Sequence, residues 1–415
     1  MSEGANGIGA GSPPEGEGPA PSLASLIRSF LKISLLGFGG PNAHLALMLD
    51  EVVERRRWLT RERFLELIAV TNLLPGPNSS EVAIHVGYLK RGWQGALATG
   101  LTFLLPTFVM VTAASMLYFR FGTMPQVEAV FWGLQPVIVA IVLAAGWKIG
   151  KAGVKTPVQG VLAVIGAAVS LVSGQAIIAA MVLGGGLTWW LRKGDRNWTH
   201  GTAAEDGDAE RETTEAQDDP PPNSHRGAWF VLPVALGSGA LGTLATVFGT
   251  HLWIGSVLFG GGYVLVALLE PYAVTQYGWL SADQFLDGVA LTQAIPGPIS
   301  TLSAFVGYAA AGVPGAILAT TGIYLPAFVG VLWLAPRLER IREVDAVRHA
   351  LEGVVAAAAG AVAGVGFSLA VAGVQDLAAG LIAAVAIMLA VWRKVPSLWL
   401  VGGGLVMGVL RLMLS

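Results

Sequence analysis

The chain has 415 residues, of which 54% are hydrophobic and 13% are charged, whereas soluble proteins carry about a quarter charged residues. Apolar runs of about 20 residues recur along most of its length, which excludes a soluble globular protein and predicts an all-α protein with several membrane-spanning helices. The chain has no cysteine, which excludes disulfides, thiolate metal sites and cysteine redox chemistry, and the net charge of −2 gives no reason to expect a nucleic-acid partner.

The first segment, residues 1–21, consists mainly of Gly, Pro, Ser and Glu and contains no basic residue. A signal peptide needs a basic start followed by an apolar stretch, so we expect a disordered tail here.

The first half of the folded chain, residues 22–194, contains two breaks in its apolar segments, Phe38-Gly39-Gly40 and Pro75-Gly76-Pro77. The basic stretches 51–63 and 90–91 both suggest the cytoplasmic side, yet only about 25 residues separate them. Two short half-helices meeting at the Pro-Gly-Pro break would return the chain to the same side, and kinked full spans are the alternative. Residues 22–50, broken at the glycines, are expected to behave in the same way.

Four full spans should follow these breaks. We expect them near residues 93–118, 126–147, 157–173 and 175–192.

A polar stretch, residues 195–227, separates the two halves. Nine acidic residues lie between Asp195 and Asp219 and are followed by three prolines, which predicts a flexible linker. The second half, residues 228–415, begins with an additional apolar segment, roughly residues 228–241, that has no counterpart before Phe38. We expect it to form one extra crossing.

The second half repeats the first at an offset of 221 positions. Phe38-Gly39-Gly40 recurs as Phe259-Gly260-Gly261, and Pro75-Gly76-Pro77 recurs as Pro296-Gly297-Pro298. After a slip of one residue, Gly87-Tyr88 recurs as Gly307-Tyr308. The chain is therefore built from two homologous halves.

The charges of equivalent loops indicate that the two halves face opposite sides of the membrane. The loop before Phe64 holds five arginines, whereas its equivalent, residues 270–283, holds neither Lys nor Arg. Farther along the bias reverses, because Arg120 stands alone in the first half while four arginines lie between residues 337 and 348. Cytoplasmic loops carry the excess of Lys and Arg, so the pattern predicts an inverted-topology repeat, as in many secondary transporters.

The breaks are suited to anion binding. Irregular backbone at membrane depth survives only inside protein or beside a watery cavity, and a helix start offers free N–H groups with a partial positive charge. We expect the Pro-Gly-Pro motifs to end one helix and start another, with polar side chains following and glycine pairs allowing close approach. The candidate substrate-binding residues at the breaks are Gly39, Gly40, Pro75, Gly76, Pro77, Asn78, Ser79, Gly260, Gly261, Pro296, Gly297, Pro298, Ser300 and Thr301. Tight helix packing is the alternative use of such small residues.

Other polar residues near the breaks are candidates too. Lys32 lies in an apolar run, where its charge either pairs with the anion or reaches the cytoplasmic interface. Asn42 is expected to line the cavity, and Gln293 to contact ligand oxygens as Asn72 does at the equivalent position. The candidate proton-coupling residues are Glu81, His85 and His44, of which the first two are four positions apart and share a helix face.

At these motifs the sequence resembles the chromate ion transporter family, in its long form with two fused homologous halves. The first half carries "FLKISLLGFGGPNAHLALMLDEVVERRRWLTRERFL" and "NLLPGPNSSEVAIHVGYLKRG". The second carries "VLFGGGYVLVALL", "GWLSADQFLDGVALTQAIPGP" and "FVGYAAAGVPGA". The resemblance implies export of chromate from the cytoplasm across a bacterial plasma membrane, chromate resistance and proton coupling, with sulfate as a similar anion. It implies no enzyme, no cofactor and no metal.

The second half departs from the family pattern at two places. It has His251-Leu252-Trp253-Ile254-Gly255 where Phe-Leu-Lys-Ile-Gly is frequent, and Gly261 where serine is usual. These departures suggest that the first half carries more of the binding.

Several alternatives remain open at this point. Sulfate or another oxyanion could be the substrate, because chromate and sulfate share charge and shape. An intramembrane enzyme using Glu81, His85 and His44 is remote, since the six histidines are scattered, and a channel is a further alternative. A homodimer is one possible assembly. The N-terminus and the central linker are expected in the cytoplasm and the C-terminus outside.

Overall fold

The computed structural model describes residues 20–192, 239–334 and 345–414, which are helical with short connections. The expected tail up to residue 19, the linker 195–227 and most of the extra apolar segment 228–241 lie outside the described residues. Within them, six helices are long and apolar enough to cross a membrane, by length and composition.

In the described part of the first repeat, residues 20–192, there are seven α-helices. They are α1 (Leu23–Leu36), α2 (Pro41–Met48), α3 (Arg61–Thr71), α4 (Asn78–Phe121), α5 (Pro125–Gly153), α6 (Pro157–Val172) and α7 (Ala176–Arg192). A π-helical segment, Leu49–Arg55, continues α2.

Residues 239–334 and 345–414 of the second repeat contain seven α-helices in the same order. They are α8 (Ala240–Val257), α9 (Gly262–Glu270), α10 (Ala282–Ala294), α11 (Leu302–Val329), α12 (Asp345–Gly373), α13 (Leu377–Val391) and α14 (Ser397–Leu414). Here too a π-helical segment, Pro271–Gln276, follows the second helix. The local caps also repeat, since Thr60 and Ser281, 221 positions apart, each accept a backbone N–H in the first turn of α3 and α10.

At the glycine break the chain reverses direction. His44 contacts the carbonyl of Gly37 across the break, and Glu51, farther along, contacts Ser29, which lies farther back in α1. The α1 helix and the α2 segment are therefore the two arms of an antiparallel hairpin.

The Pro-Gly-Pro break also reverses the chain. Gly288 in α10 packs against Phe305 in α11, and the two residues lie at nearly equal distances along the chain from Gly297. In the first repeat the helix equivalent to α10 is α3. It has 11 residues and a length of about 16 Å, which is roughly half of a membrane's apolar thickness. The half-helix alternative describes the fold, and the kinked full span does not.

A second reversal divides α4 into two antiparallel pieces. Arg91 and Gly92 leave the helical conformation, and the chain folds back so that Gly87 packs against the backbone of Gly95. Thr99 donates a hydrogen bond to the carbonyl of Ala83 across the same hairpin, at 2.7 Å. The second piece and α5 lie where the first two full spans were expected, and both helices are long enough to cross a membrane. The α6 and α7 helices lie where the other two were expected, but they have 16 and 17 residues and are shorter than a typical span.

The equivalent helices α5 and α12 pack against each other in antiparallel orientation. Gly146 faces Ala363, and the symmetry-equivalent pair, Leu143 and Gly366, is also in contact. A pseudo-twofold axis relates the two repeats. Because the equivalent helices α5 and α12 run antiparallel, this axis is perpendicular to both helices and lies in the membrane plane. The structure is thus an inverted repeat.

The last helices of each repeat pack on the other repeat. The α12 helix packs on α6 and α7, and α5 packs reciprocally on α13 and α14. Close approach depends on small residues, since Gly184 meets Gly353 and the equivalent Gly404 meets Gly133. This exchange builds the core of the molecule and fixes the positions of the breaks.

Candidate functional site

The Pro-Gly-Pro break of each repeat is hydrogen-bonded to the glycine break of the other repeat. The N–H of Gly76 donates to the carbonyl of Leu258 at 2.8 Å, and the N–H of Gly297 donates to the carbonyl of Gly37 at 2.9 Å. Leu258 is the counterpart of Gly37, so the two hydrogen bonds are equivalents under the pseudo-twofold axis. Thr107 adds a third link, donating to Pro296 O at 3.0 Å.

These bonds correct one expectation. The sequence suggested that the Pro-Gly-Pro breaks leave their amides free, but the Gly76 and Gly297 amides already have carbonyl partners. The backbone donors that remain are the N–H groups in the first turns of the helices that start at the breaks. These N–H groups have no carbonyl one turn earlier in the helix to accept their hydrogen bonds.

The glycines at the breaks are required by backbone conformation. Gly39, Gly40, Gly76, Gly260, Gly261 and Gly297 all have φ between +81° and +155°. Side chains with a Cβ are strained in this region. These six positions therefore shape the breaks, whatever they bind.

In the first repeat, polar side chains gather where α4 begins. Pro77 is the N-cap and its carbonyl accepts the amides of Ser80 and Glu81. Asn78 Nδ2 donates a hydrogen bond to Asn72 Oδ1 at 2.6 Å. This side-chain hydrogen bond links the residues before and after the break. Asn72 is exposed, whereas Ser79 is buried.

The second repeat starts its helix differently. A 3-10 turn, Ile299–Thr301, follows Pro298, and Thr301 Oγ1 donates back to the Pro298 carbonyl at 2.8 Å. The chain has one residue fewer here than between Pro77 and Gly87, which explains the tighter turn. Ser300 is buried and its hydroxyl lies 2.5 Å from that of Tyr324.

Gln293 contacts a residue that the sequence analysis missed. Its Nε2 donates to the hydroxyl of Tyr263 at 2.8 Å. At the 221-residue offset Gln293 corresponds to Asn72 and Tyr263 corresponds to Asn42. The repeat itself therefore pointed to Tyr263, because Asn42 was already a candidate. Asn42 itself is exposed near the start of α2.

Glu81 is fully buried beside the first Pro-Gly-Pro break. Neither carboxylate oxygen has a hydrogen-bond partner among the described residues, and Oε1 lies 2.7 Å from the point where a Cβ on Gly76 would stand. An ionised carboxylate without donors in such a place would be costly. His85 is buried one turn later, and the counterparts of the pair in the second repeat are Thr301 and Phe305.

His44 closes the glycine hairpin of the first repeat. Its Nε2 lies 2.9 Å from the carbonyl of Gly37, the same oxygen that accepts the Gly297 amide, and its ring stands edge-on to Phe103. The histidine thus touches the hydrogen bond that joins the two repeats.

Lys32 is paired away from the breaks. Its Nζ lies 3.4 Å from Glu51, which also accepts hydrogen bonds from Ser29 and Arg56, each at 2.9 Å. Burial alone would raise the pKa of Glu51, but the hydrogen bonds from Arg56, Ser29 and Lys32 outweigh it and hold that pKa below its ordinary value. The cluster stands at the outer end of the glycine hairpin.

A buried carboxylate that the sequence analysis missed links the two repeats. Asp287 in α10 accepts hydrogen bonds from Tyr118 at 2.8 Å and from Gln135 at 2.9 Å, both in the first repeat. Its only sequence signal is an acid in an apolar run. Among the residues that the structure describes, no three His, Asp or Glu side chains form a group that could hold a metal ion.

Comparison with known proteins supports the family resemblance. A family model described as Chromate transporter matches residues 24–190 and 245–409. The Chromate transport protein of Cupriavidus metallidurans is 29% identical over 405 residues, which cover 94% of each chain. The Chromate transport protein of Pseudomonas aeruginosa is 31% identical over 355 residues, covering 85% of this chain and 82% of its own. No solved structure matches.

Proposed function

Because this chain belongs to the chromate transporter family, we propose that it is a secondary transporter that exports chromate from the cytoplasm and confers chromate resistance. Protons are the coupling ion in this proposal. The observation that carries it is that the helix breaks of two inverted repeats are hydrogen-bonded to each other, the Pro-Gly-Pro break of each to the glycine break of the other. In secondary transporters of this design the substrate site lies between the repeats near the midplane.

The proposed binding site uses the residues around these breaks. Amides in the first turns of α2 and α4 and the side chains of Asn42, Asn72 and Asn78 donate to the oxyanion. Ser79, Ser300 and Thr301 complete the polar lining, to which Gln293 contributes through its hydrogen bond to Tyr263. The proline and glycine residues of the motifs, at positions 39, 40, 75–77, 260, 261 and 296–298, give the backbone its path. Lys32 attracts the anion from its position beside Glu51 rather than at the breaks.

The driving force follows from charge. Chromate is a dianion at neutral pH, and at about 100 mV, inside negative, its departure releases roughly 4.6 kcal/mol, since each charge contributes about 2.3. The two repeats rock around the bound anion, and the inverted symmetry makes the inward-facing and outward-facing states equivalent in packing.

Proton coupling is assigned to the first repeat. Glu81 is buried next to the break, and no residue in the described part of the chain donates a hydrogen bond to its carboxylate, so we assign the coupled proton to it. His85, one turn away, and His44, which contacts the linking hydrogen bond, relay the proton in this proposal.

The orientation follows the charge bias of the loops. We place the protein in a bacterial plasma membrane with its N-terminus and central linker in the cytoplasm and its C-terminus outside.

Flux measurement in everted membrane vesicles tests the proposal. We expect saturable uptake of radiolabelled chromate that depends on membrane potential and on the pH gradient, with partial competition by sulfate. Sulfate uptake without chromate uptake would replace the substrate with the alternative anion. Flux that does not saturate and ignores a collapsed pH gradient would favour a channel.

A further inference from the structure

Tyr263 stands at the break of the second repeat, at the position that Asn42 occupies in the first. It is the second residue of α9, directly after the glycine cluster that ends with Gly262. Its side chain is half-buried. Both positions thus place a polar group in the first turn of a helix that begins at a break.

The Tyr263 hydroxyl reaches the opposite repeat. The hydroxyl oxygen lies 3.9 Å from the point where a Cβ on Gly40 would stand. Gly40 is the N-cap of α2 and has φ +81°, so no side chain of its own fills this space. A tyrosine of one repeat therefore covers the helix start of the other.

The Tyr263 hydroxyl can donate one hydrogen bond beyond the one that it accepts. Gln293 donates its amide N–H to the hydroxyl oxygen, so the oxygen acts as acceptor in that bond. A tyrosine hydroxyl has one further proton to donate. Across residues 20–192, 239–334 and 345–414, Gln293 is the hydroxyl's hydrogen-bond partner, and the proton has no protein acceptor.

We infer that the Tyr263 hydroxyl, oriented by Gln293, donates a hydrogen bond directly to the transported oxyanion over the start of α2. This inference rests on the proposed function and adds a contact from the second repeat. A neutral donor suits a transporter because it recognises a dianion without adding a full positive charge that would retain it. Gln293 acts on the anion through Tyr263 and is a positioning residue in this scheme.

Equilibrium binding of radiolabelled chromate to the purified full chain in lipid nanodiscs tests the inference. For Tyr263→Phe we expect the dissociation constant to rise about tenfold or more with unchanged stoichiometry, as befits a lost hydrogen bond to a charged group. In vesicles the same variant should raise KM while kcat stays within about twofold. Tyr308→Phe is the matched control, because this tyrosine stacks on Phe119 away from the breaks, and it should bind as the wild type does.

A double substitution separates positioning from packing. If Gln293 acts through the hydroxyl, Gln293→Leu weakens chromate binding in the wild-type background but adds nothing to Tyr263→Phe. Additive losses, or an unchanged dissociation constant in Tyr263→Phe, would overturn the inference while chromate transport by the wild type continued. If the wild type binds chromate in a Tyr263-dependent way but does not export it, the proposed function fails and this contact remains.

Discussion

At the residue scale, Glu81 is the side chain on which proton coupling depends in our proposal. Glu81→Gln keeps the size of the side chain, whose oxygens have no hydrogen-bond partner in residues 20–192, 239–334 and 345–414, but glutamine cannot release a proton. We therefore expect chromate uptake into everted vesicles to retain its response to membrane potential and to lose its response to the pH gradient. His85→Ala should weaken the same response.

The control for this prediction is Glu66→Gln. Glu66 is an exposed carboxylate that pairs with Arg63 on α3, so its loss removes one charge without touching the breaks. Full pH dependence in both Glu81→Gln and His85→Ala would assign the proton to another group, and Asp287 would be the next candidate.

Glu51 leads to a prediction about stability. Its folded pKa lies below the ordinary value of 4.5, so its stabilising contribution is present above that pH and is lost as the pH falls through the folded pKa. Glu51→Gln should lower the free energy of unfolding at pH 7 by about 1.5–3 kcal/mol, because charged hydrogen bonds are lost. Thermal unfolding in detergent should show a constant difference between the two proteins from pH 7 to about pH 5, and a difference that shrinks as the pH falls below 4.5.

Glu54→Gln provides the comparison. Glu54 pairs with Arg61, but both side chains are at least half exposed, so the expected change is below about 1 kcal/mol. Equal effects of the two substitutions at pH 7 would contradict the distinction between the buried cluster and the surface pair.

At the element scale, the hairpin within α4 depends on two kinds of glycine. A Cβ on Gly87 would overlap the backbone of Gly95 and Thr99 Oγ1, whereas a Cβ on Gly92 would meet nothing within 4 Å. Gly87→Ala should therefore cost about 3 kcal/mol or more, since packed backbones would have to separate. Gly92→Ala should cost about 1–3 kcal/mol, the strain of an alanine held at φ +57° and ψ −149°, a backbone conformation that favours glycine.

Thermal unfolding of the purified variants measures this difference. The equivalent pair in the second repeat, Gly307 and Gly312, should show the same order, because Gly307 packs on Gly315 and Gly312 turns the chain at φ +61°. A larger loss for the turn glycines than for the packing glycines would mean that the hairpin is held by its turn.

The elements also show how far the sequence could be interpreted. The breaks followed from the glycine and Pro-Gly-Pro motifs, the positions of the apolar helices from apolar length, and the repeat from the 221-residue offset. Apolar length overestimated α6 and α7, which are shorter than a full span. The partners of Gly76 and Gly297 could not be foreseen, because each accepting carbonyl lies in the other repeat. The role of Lys32 was left open for a different reason, because Glu51 lies in the same repeat and only the reversal of the chain at the glycine break brings it beside Lys32.

At the scale of the whole molecule, the antiparallel contact of α5 with α12 can be tested by cross-linking. The chain has no native cysteine, so an introduced pair is unambiguous. A Cβ on Gly146 would lie 3.4 Å from Cα of Ala363, which is close enough for a disulfide between Gly146→Cys and Ala363→Cys. After cleavage at a protease site inserted in residues 195–227, the two halves should remain joined on a non-reducing gel.

An off-register pair is the control for the cross-link. Gly146→Cys with Ala370→Cys moves one sulfur about 10 Å along α12 and should leave the halves separate. Efficient joining of the off-register pair, or none in the first pair, would contradict the inverted packing.

The exchange of helices between repeats has a consequence for single-repeat chains. A polypeptide that ends after α7 would leave α5 without α13 and α14, and would leave α6 and α7 without α12. The missing helix contacts could be supplied only by a second polypeptide inserted in the bilayer with the opposite orientation. The cell would therefore have to insert copies in both orientations. Tethering two copies on one polypeptide replaces that encounter by an intramolecular one, and it frees each copy to diverge, as the acidic residue at 81 and the tyrosine at 263 illustrate.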